Sequence, residues 1–328
     1  MCILPPKLVS VFIPTFNGEK YLRECVDAIL GQQLPEGYGL EVLIIDSGST
    51  DGTVKILEGF GDKINLSHIP NKEFSHGRTR DKAARMARGE FILFLSQDST
   101  PAHDRWLISM IEPFLVSEKV GCVFGAQVPR RDAAPTIKRE VSKAFKGFGT
   151  RDSIVMHRHN SIVDGVATNG ANTFFSDANS AVRRSLLVGE VPFRPVNYAE
   201  DQALAADMQK SGYLKAYAPQ GEVYHSNEYT AKQYFHRKFD ETIGLQEAIG
   251  LKLQPSLRKL LLGWIRPTYH DWRFIARDKE YGTKQKLVGY LTAPGYNIAC
   301  QAGEYFGIKN LCDEAKRKKW SLEGRARK

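Results

Sequence analysis

Apolar residues in the first 130 positions follow two rhythms. Short, mostly apolar runs at 9–14, 41–46 and 91–95 predict buried strands. Between them apolar positions return every three or four residues, which predicts helices. Leu22, Cys25, Val26, Ile29 and Leu30 form one such set; Trp106, Leu107, Met110, Ile111 and Phe114 form another. Residues 53–60 and the Ala-rich 78–88 add two more helices, and 64–69 a weaker strand. Strands alternating with helices of this length predict an α/β fold built on a doubly covered, mainly parallel, Rossmann-like sheet.

Past Pro129 the pattern thins. Residues 129–169 carry many charges, with a helix expected at 137–145, and His157 and His159 read as surface residues. Order returns at 170–229: an extended 172–175, a helix start near Arg183, a helix at 200–210 with Leu204, Ala205 and Met208 inward, and short strands at 213–217 and 222–225. Beyond Thr230 the chain is helical, aromatic and basic.

Ligands collect beyond the carboxyl ends of strands in such sheets. That singles out Thr15-Phe16-Asn17, Asp46-Ser47 and Gln97-Asp98, three polar clusters each just past a buried run. Any one of them alone is an ordinary turn or helix cap; three on successive strand ends predict a site.

Charge sharpens the division of the chain. Residues 231–328 hold 20 Lys and Arg against 10 Asp and Glu, whereas the remainder, 26 against 27, is near neutral. A basic tail predicts an anionic partner surface or a solvated helical face. The five cysteines are scattered and form no Cys-x-x-Cys pair, which excludes a zinc ribbon or disulfide framework and predicts a reducing compartment. No apolar run nears the ~20 residues that span a bilayer, and the N-terminal apolar stretch is too short for a signal peptide. There is no G-x-x-x-x-G-K-[ST] and no G-x-G-x-x-G after the first strand, which disfavours ATPases, kinases and Rossmann dehydrogenases.

Specific motifs go further. Val9-Ser-Val-Phe-Ile-Pro-Thr-Phe-Asn-Gly18, Val42-Leu-Ile-Ile-Asp-Ser-Gly-Ser-Thr-Asp-Gly-Thr53, the 77–92 segment and Leu95-Ser-Gln-Asp-Ser99 together resemble glycosyltransferase family 2, the GT-A nucleotide-sugar enzymes. Phe74-Ser-His-Gly-Arg-Thr-Arg80, Ser176-Asp-Ala-Asn-Ser-Ala-Val-Arg-Arg-Ser185, Glu200-Asp201 and His225-Ser226 look like its rhamnosyltransferase branch; the match covers roughly 8–240. The resemblance implies a GT-A catalytic domain over 1–230, with a nucleotide-sugar half at about 8–128 and an acceptor half at about 170–230. Residues 231–328 would then serve membrane association or oligomerisation.

The resemblance also implies roles. Thr15, Phe16 and Asp46 would hold the nucleoside, with Gln97 beside them. Asp98 would bind Mg²⁺ or Mn²⁺ on the donor's diphosphate, with His225 completing the metal site and Arg80 adding positive charge. Asp201 would be the general base, taking the proton of an acceptor hydroxyl in a single inverting displacement. Asn172, Asn179 and Glu200 would line the acceptor groove. Three positions depart from the family pattern: Asp46-Ser47 replaces a paired Asp-Asp, Gln97-Asp98-Ser99 replaces Asp-x-Asp, and Arg80-Asp81 replaces Arg-Asn. The function implied is transfer of L-rhamnose from dTDP-L-rhamnose to a lipid-linked surface glycan, on the cytoplasmic face of the membrane. The rival readings are a UDP-hexose or UDP-N-acetylhexosamine donor, or a non-catalytic carbohydrate-binding or nucleic-acid-binding protein. Against nucleic acid, the charge lies in the tail and no recognition module is visible.

Overall fold

A computed structural model describes residues 7–157, 162–163, 166–167, 174–196, 198–225 and 228–322. Two compact units emerge: the described parts of 1–128, 145–161 and 167–225 form one, and those of 129–144, 162–166 and 226–328 the other.

The first unit is an α/β sheet. Its strands are β1 (Lys7–Thr15), β2 (Tyr38–Asp46), β3 (Asn65–His68), β4 (Phe91–Leu95), β5 (Thr100–Pro101), β6 (Val120–Val128), β7 (Val155–His157), β10 (Asn179–Arg183) and β11 (Leu214–Tyr224). Outside it, β8 (Ile162–Val163) and β9 (Val166–Ala167) pair with each other. The sheet order is β3-β2-β1-β4-β10-β6-β11-β5, and β7 also pairs with β11. β3, β2, β1 and β4 run parallel; β10 enters antiparallel between β4 and β6, and β11 runs parallel to β6. The mostly apolar runs are explained by cover on both faces. Val9, Val11, Phe12, Ile13 and Phe91–Leu95 are all buried beneath helices α1 (Leu22–Leu30), α2 (Thr53–Glu58), α3 (His76–Met86) and α4 (Trp106–Val116).

The strands expected at 213–217 and 222–225 are one long strand whose register with β6 shifts between Ala218 and Val223. β10 has no sequence signature. It is five residues, Asn-Ser-Ala-Val-Arg, whose polar start is buried by hydrogen bonding rather than by apolar character. Of the expected extended segment 172–175, Asn172 and Thr173 lie outside the described residues, and Phe174 and Phe175 form no strand. Phe175 instead joins Phe145, Phe148, Phe174 and Tyr217 around Phe124. Of the two histidines read as surface residues, His157 closes β7 half-buried and His159 lies outside the described residues. Helices α5 (Pro135–Lys146), α6 (Arg184–Leu187) and α7 (Glu200–Lys210) follow the expected places.

The second unit is helical: α8 (Ala231–Ile249), α9 (Leu257–Leu262), α10 (Ile265–Arg277), α11 (Thr283–Lys309) and α12 (Glu314–Trp320). Thr230 and Gln233 cap α8 reciprocally. α11 packs closely along α8 because Gly303 and Gly307 bring no side chain; a Cβ at Gly303 would stand 2.6 Å from the Phe235 carbonyl oxygen. Residues 129–144 belong to this unit through ion pairs. Lys138 bridges Asp278 and Glu280, Arg139 pairs with the fully buried Asp271, and Glu140 pairs with Lys238.

Candidate functional site

β1 and β2 end in register, Thr15 beside Asp46, so both chains leave the sheet at one edge. Asp46 turns its carboxylate back on its own turn. Oδ2 accepts the backbone N–H of Gly48 and of Ser49, each at 3.0 Å, while Oδ1 accepts the Ser49 hydroxyl at 2.5 Å and the Thr15 hydroxyl at 3.1 Å. Asp46 is 1% exposed. The 47–53 turn is then laced to the loop after β1: Asn17, at φ +48°, accepts the Thr50 N–H, and Thr53 Oγ1 accepts the Gly18 N–H. Gln97 clamps the same loop from β4. Its Oε1 accepts the Phe16 N–H and its Nε2 donates to the Phe16 carbonyl, both at 2.9 Å, as a neighbouring strand would. A Cβ at Gly18 would stand 2.3 Å from Gln97 Oε1, so a larger residue there would displace the Gln97 amide from this clasp. The glutamine standing where the family pattern carries an aspartate thus serves as a backbone clasp.

Asp98, next along, faces His225 across the edge, Oδ2 to Nε2 3.6 Å. β11 places that histidine, since Tyr224 pairs with both Val128 and Thr100. The other ring nitrogen, Nδ1, lies 2.9 Å from Gln127 Oε1, and Gln127 Nε2 donates to Ser176 Oγ at 3.1 Å. With the Gln127 amide oxygen accepting from Nδ1, Nε2 is the ring nitrogen turned toward Asp98, and an imidazole held this way suits a metal ligand. No group of three His, Cys, Asp or Glu side chains with metal-site geometry occurs among the described residues. One carboxylate and one imidazole fit a divalent cation that takes its remaining positions from phosphate oxygens and water.

A third cluster lies off the same edge. Asn179 opens β10 opposite Leu95, the last residue of β4, so Asp177, two residues before it, and Asp98, three residues beyond Leu95, project from one end of the sheet. Asp177 and Glu200 both grip Arg80 of α3: Nε to Asp177 Oδ2 is 2.9 Å, and Nη1 to Glu200 Oε1 is 2.8 Å. All three side chains are nearly fully buried, and His76 Nδ1 lies 3.8 Å from Glu200. Asp201 joins through the backbone, its Oδ2 accepting the Asp177 N–H at 3.2 Å. Ala199, at φ +58° and buried, turns the chain sharply into α7 so that both acidic residues open the helix. A non-glycine residue in that left-handed region is strained and persists only where its surroundings hold it.

Two buried carboxylates on one guanidinium, with the half-buried Asp201 carboxyl beside them, leave excess negative charge. Burial, with Glu200 and Asp177 close by, holds the Asp201 carboxyl well above the usual carboxylate range, only partly offset by Arg80. Burial likewise pushes Asp177 up to about 6, against the pull of Arg80. A carboxylate of raised basicity beside an open edge is what general-base chemistry requires.

The sequence-predicted residues separate accordingly. Thr15, Phe16, Asp46, Gln97, Asp98, Arg80, Glu200, Asp201 and His225 come to one sheet edge. Arg80 is spent on Asp177 and Glu200, and Glu200, 5% exposed, is an ion-pair partner beneath that surface. Asn179 does not face the crevice. It is fully buried, accepts the Trp106 indole N–H, and donates to the carbonyls of Ala126 and Gly221, which holds β10 against its neighbours. Asn172 lies outside the described residues. Asp177, Gln127 and His76 were not singled out from the sequence; Asp177 stands inside the quoted 176–185 motif, where it reads as a turn residue.

The glycosyl transferase family 2 model matches residues 10–188. O-antigen chain rhamnosyltransferase RfbN of Salmonella typhimurium is 31% identical over 236 residues, covering 71% of this chain and 70% of that protein. O-antigen chain rhamnosyltransferase WbaN of Salmonella anatum is 32% identical over 235 residues, 70% of each. Among solved structures, the mannosyltransferase PcManGT of Pyrobaculum calidifontis, in complex with GDP-Man and Mn²⁺, superposes with a TM-score of 0.59 at 19% identity, over 95% of this chain and 88% of that one. Glucosyl-3-phosphoglycerate synthase of Mycobacterium tuberculosis, with Mn²⁺, UDP and phosphoglyceric acid, gives 0.53 at 19%, over 76% and 80%. At those identities the structural likeness is one of fold.

Proposed function

The chain belongs to glycosyl transferase family 2, and from that premise we propose that it is an inverting rhamnosyltransferase. It moves L-rhamnose from dTDP-L-rhamnose to a hydroxyl of a lipid-linked bacterial surface polysaccharide precursor. The donor assignment is supported by the two Salmonella relatives, both named as O-antigen chain rhamnosyltransferases. The observation that carries the chemistry is the Asp201 carboxyl, raised in basicity by burial and two neighbouring acids, on the sheet edge that also bears Asp98 and His225.

Asp201 accepts the proton of the acceptor hydroxyl as that oxygen attacks the sugar's C1. The new C1–O bond forms as the bond to the diphosphate breaks, and the electron pair leaves with the diphosphate. Attack opposite the leaving group inverts C1. The Asp177 N–H orients the base, and Arg80, pinned between Asp177 and Glu200, keeps those two acids from raising Asp201 beyond use. Thr15, Phe16 and Asp46 shape the nucleoside end, with Gln97 fixing the Phe16 backbone. Asp98 and His225 would hold Mg²⁺ or Mn²⁺, which when bound offsets the charge that builds on the departing diphosphate. Residues 231–328 bring the enzyme to the membrane where its acceptor resides.

Turnover of dTDP-L-rhamnose, UDP-glucose and UDP-N-acetylglucosamine with purified protein, with and without Mn²⁺, tests the reading, and proton NMR of the product reads the anomeric configuration. Release of dTDP with inversion is expected. UDP release alone would move the protein to a different donor, and no turnover of any sugar nucleotide would leave a binding protein.

A further inference from the structure

The second unit is inside out at one face. Of seventeen large apolar side chains exposed among the described residues, ten fall between Leu257 and Ile298. On α11 the buried positions are small or polar, Gly289, Ala293, Asn297, Gln301, Gly303 and Gly307. The bulky residues point away: Leu287, Val288, Leu291 and Ile298 are 60%, 50%, 73% and 44% exposed. On α10, Ile265, Tyr269 and Trp272 recur at four and three residues along one exposed stripe. Arg266, His270, Arg273 and Arg277 form a second exposed stripe one position round. The Trp272 indole donates to the Tyr290 carbonyl at 3.0 Å, joining the α10 stripe to the Leu287–Leu291 stretch of α11. α9 adds Leu257, Leu261 and Leu262, and its Lys259 reaches Glu304 of α11 at 2.5 Å.

The charge around this surface has one sign. Residues 257–286 contain eight Lys and Arg against Asp271, Asp278 and Glu280. Those three acids are consumed internally, Asp271 by Thr136, Arg139 and Asn297, and Asp278 and Glu280 by Lys138. Among the described residues no carboxylate pairs with Arg258, Arg266, Arg273, Arg277, Lys284 or Lys286. A second copy set against this face would oppose cation to cation. No described helix is long and apolar enough to cross a membrane.

We propose that α9, α10 and the first half of α11 form an interfacial surface that docks on an anionic lipid leaflet. Leu257, Leu261, Ile265, Trp272, Leu287 and Leu291 enter the headgroup boundary, while the surrounding arginines and lysines meet lipid phosphates. In α12, Trp320 packs inward on Phe235, Phe239 and Phe306, while Lys316, Lys318 and Lys319 are exposed. This surface gives the membrane element of the proposed function its residues; it rests on that reading for its purpose and not for its chemistry.

Flotation of the full chain with vesicles of phosphatidylcholine alone, or enriched in phosphatidylglycerol, tests it without any donor sugar. Binding to the phosphatidylglycerol vesicles that weakens with salt is expected. L287S/L291S should lower that partition roughly tenfold or more, and R266S/R273S roughly tenfold on anionic vesicles. L115S/V116S, an exposed apolar pair of the first unit, should leave it unchanged, with circular dichroism confirming that each variant folds. Vesicle binding indifferent to both helix-face pairs overturns the assignment. So does absence of vesicle binding by a protein that L287S/L291S converts from dimer to monomer, which would place a second copy on the face. Donor turnover by a chain without lipid affinity would sink this surface and leave the transferase standing.

Discussion

Asp46 and Asp201 are aspartates at one sheet edge in opposite surroundings. Asp46 closes a β-strand and receives four hydrogen bonds within its own turn and from Thr15. Asp201 opens a helix behind a strained Ala199 and sits beside Asp177 and Glu200, the two acids that hold Arg80. The difference teaches that a carboxylate saturated by donors shapes a loop, whereas one crowded by like charge is poised to take a proton. In the proposed reaction the first kind shapes the donor's floor and the second takes the proton.

Substitution separates the two regions most sharply. Asp201→Asn should lower kcat by ~10²–10⁴-fold while leaving the thermal midpoint unchanged or higher, because it removes a like charge from the cluster. Activity near wild type would make Asp201 a mere helix opener. Arg80→Met should destabilise the fold by ~3–5 kcal/mol, since it leaves buried carboxylates without their counter-ion. Adding Glu200→Gln should restore part of that in urea unfolding, and no rescue would show that Arg80 acts through packing. Asp46→Ala is the milder counterpart, costing ~1–3 kcal/mol from backbone and hydroxyl donors left unmet, with KM for the donor rising more than kcat falls.

The smallest effect is in pH. The folded protein keeps a proton on Asp177 up to about 6, whereas the unfolded chain releases it near ~4. The native state therefore binds more protons across that window, so this group's share of stability is present at low pH and lost as pH rises through about 6. Midpoints of wild type relative to Asp177→Asn should rise as pH falls through the window; a flat difference would place Asp177 among ordinary paired acids.

Much of the molecule was legible along the chain. The doubly covered strands at 9–14, 41–46 and 91–95 announce themselves because their residues are mostly apolar, and Asp98, His225 and Asp201 fall in segments that resemble the family. Asp177 and Gln127 were hidden. Their meaning depends on β10 slipping antiparallel between β4 and β6, and its Asn-Ser-Ala-Val-Arg sequence is held by hydrogen bonds that no periodicity records. Asn179 reads as polar and site-like yet is the clip that fixes that strand.

Sequence alone determined the strands at 9–14, 41–46 and 91–95, the helices between them and which strand ends carry polar chemistry, since burial on one or two faces writes a local pattern. It also placed a basic, amphipathic region after residue 230. Only the tertiary structure decided that Arg80 is shared by acids 97 and 120 positions further on, and that the bulky side of α11 looks outward. Both are long-range matters. A charge takes its function from the partners that folding sets beside it, and a helix exposes its leucines when glycines and alanines are what its neighbours have room for.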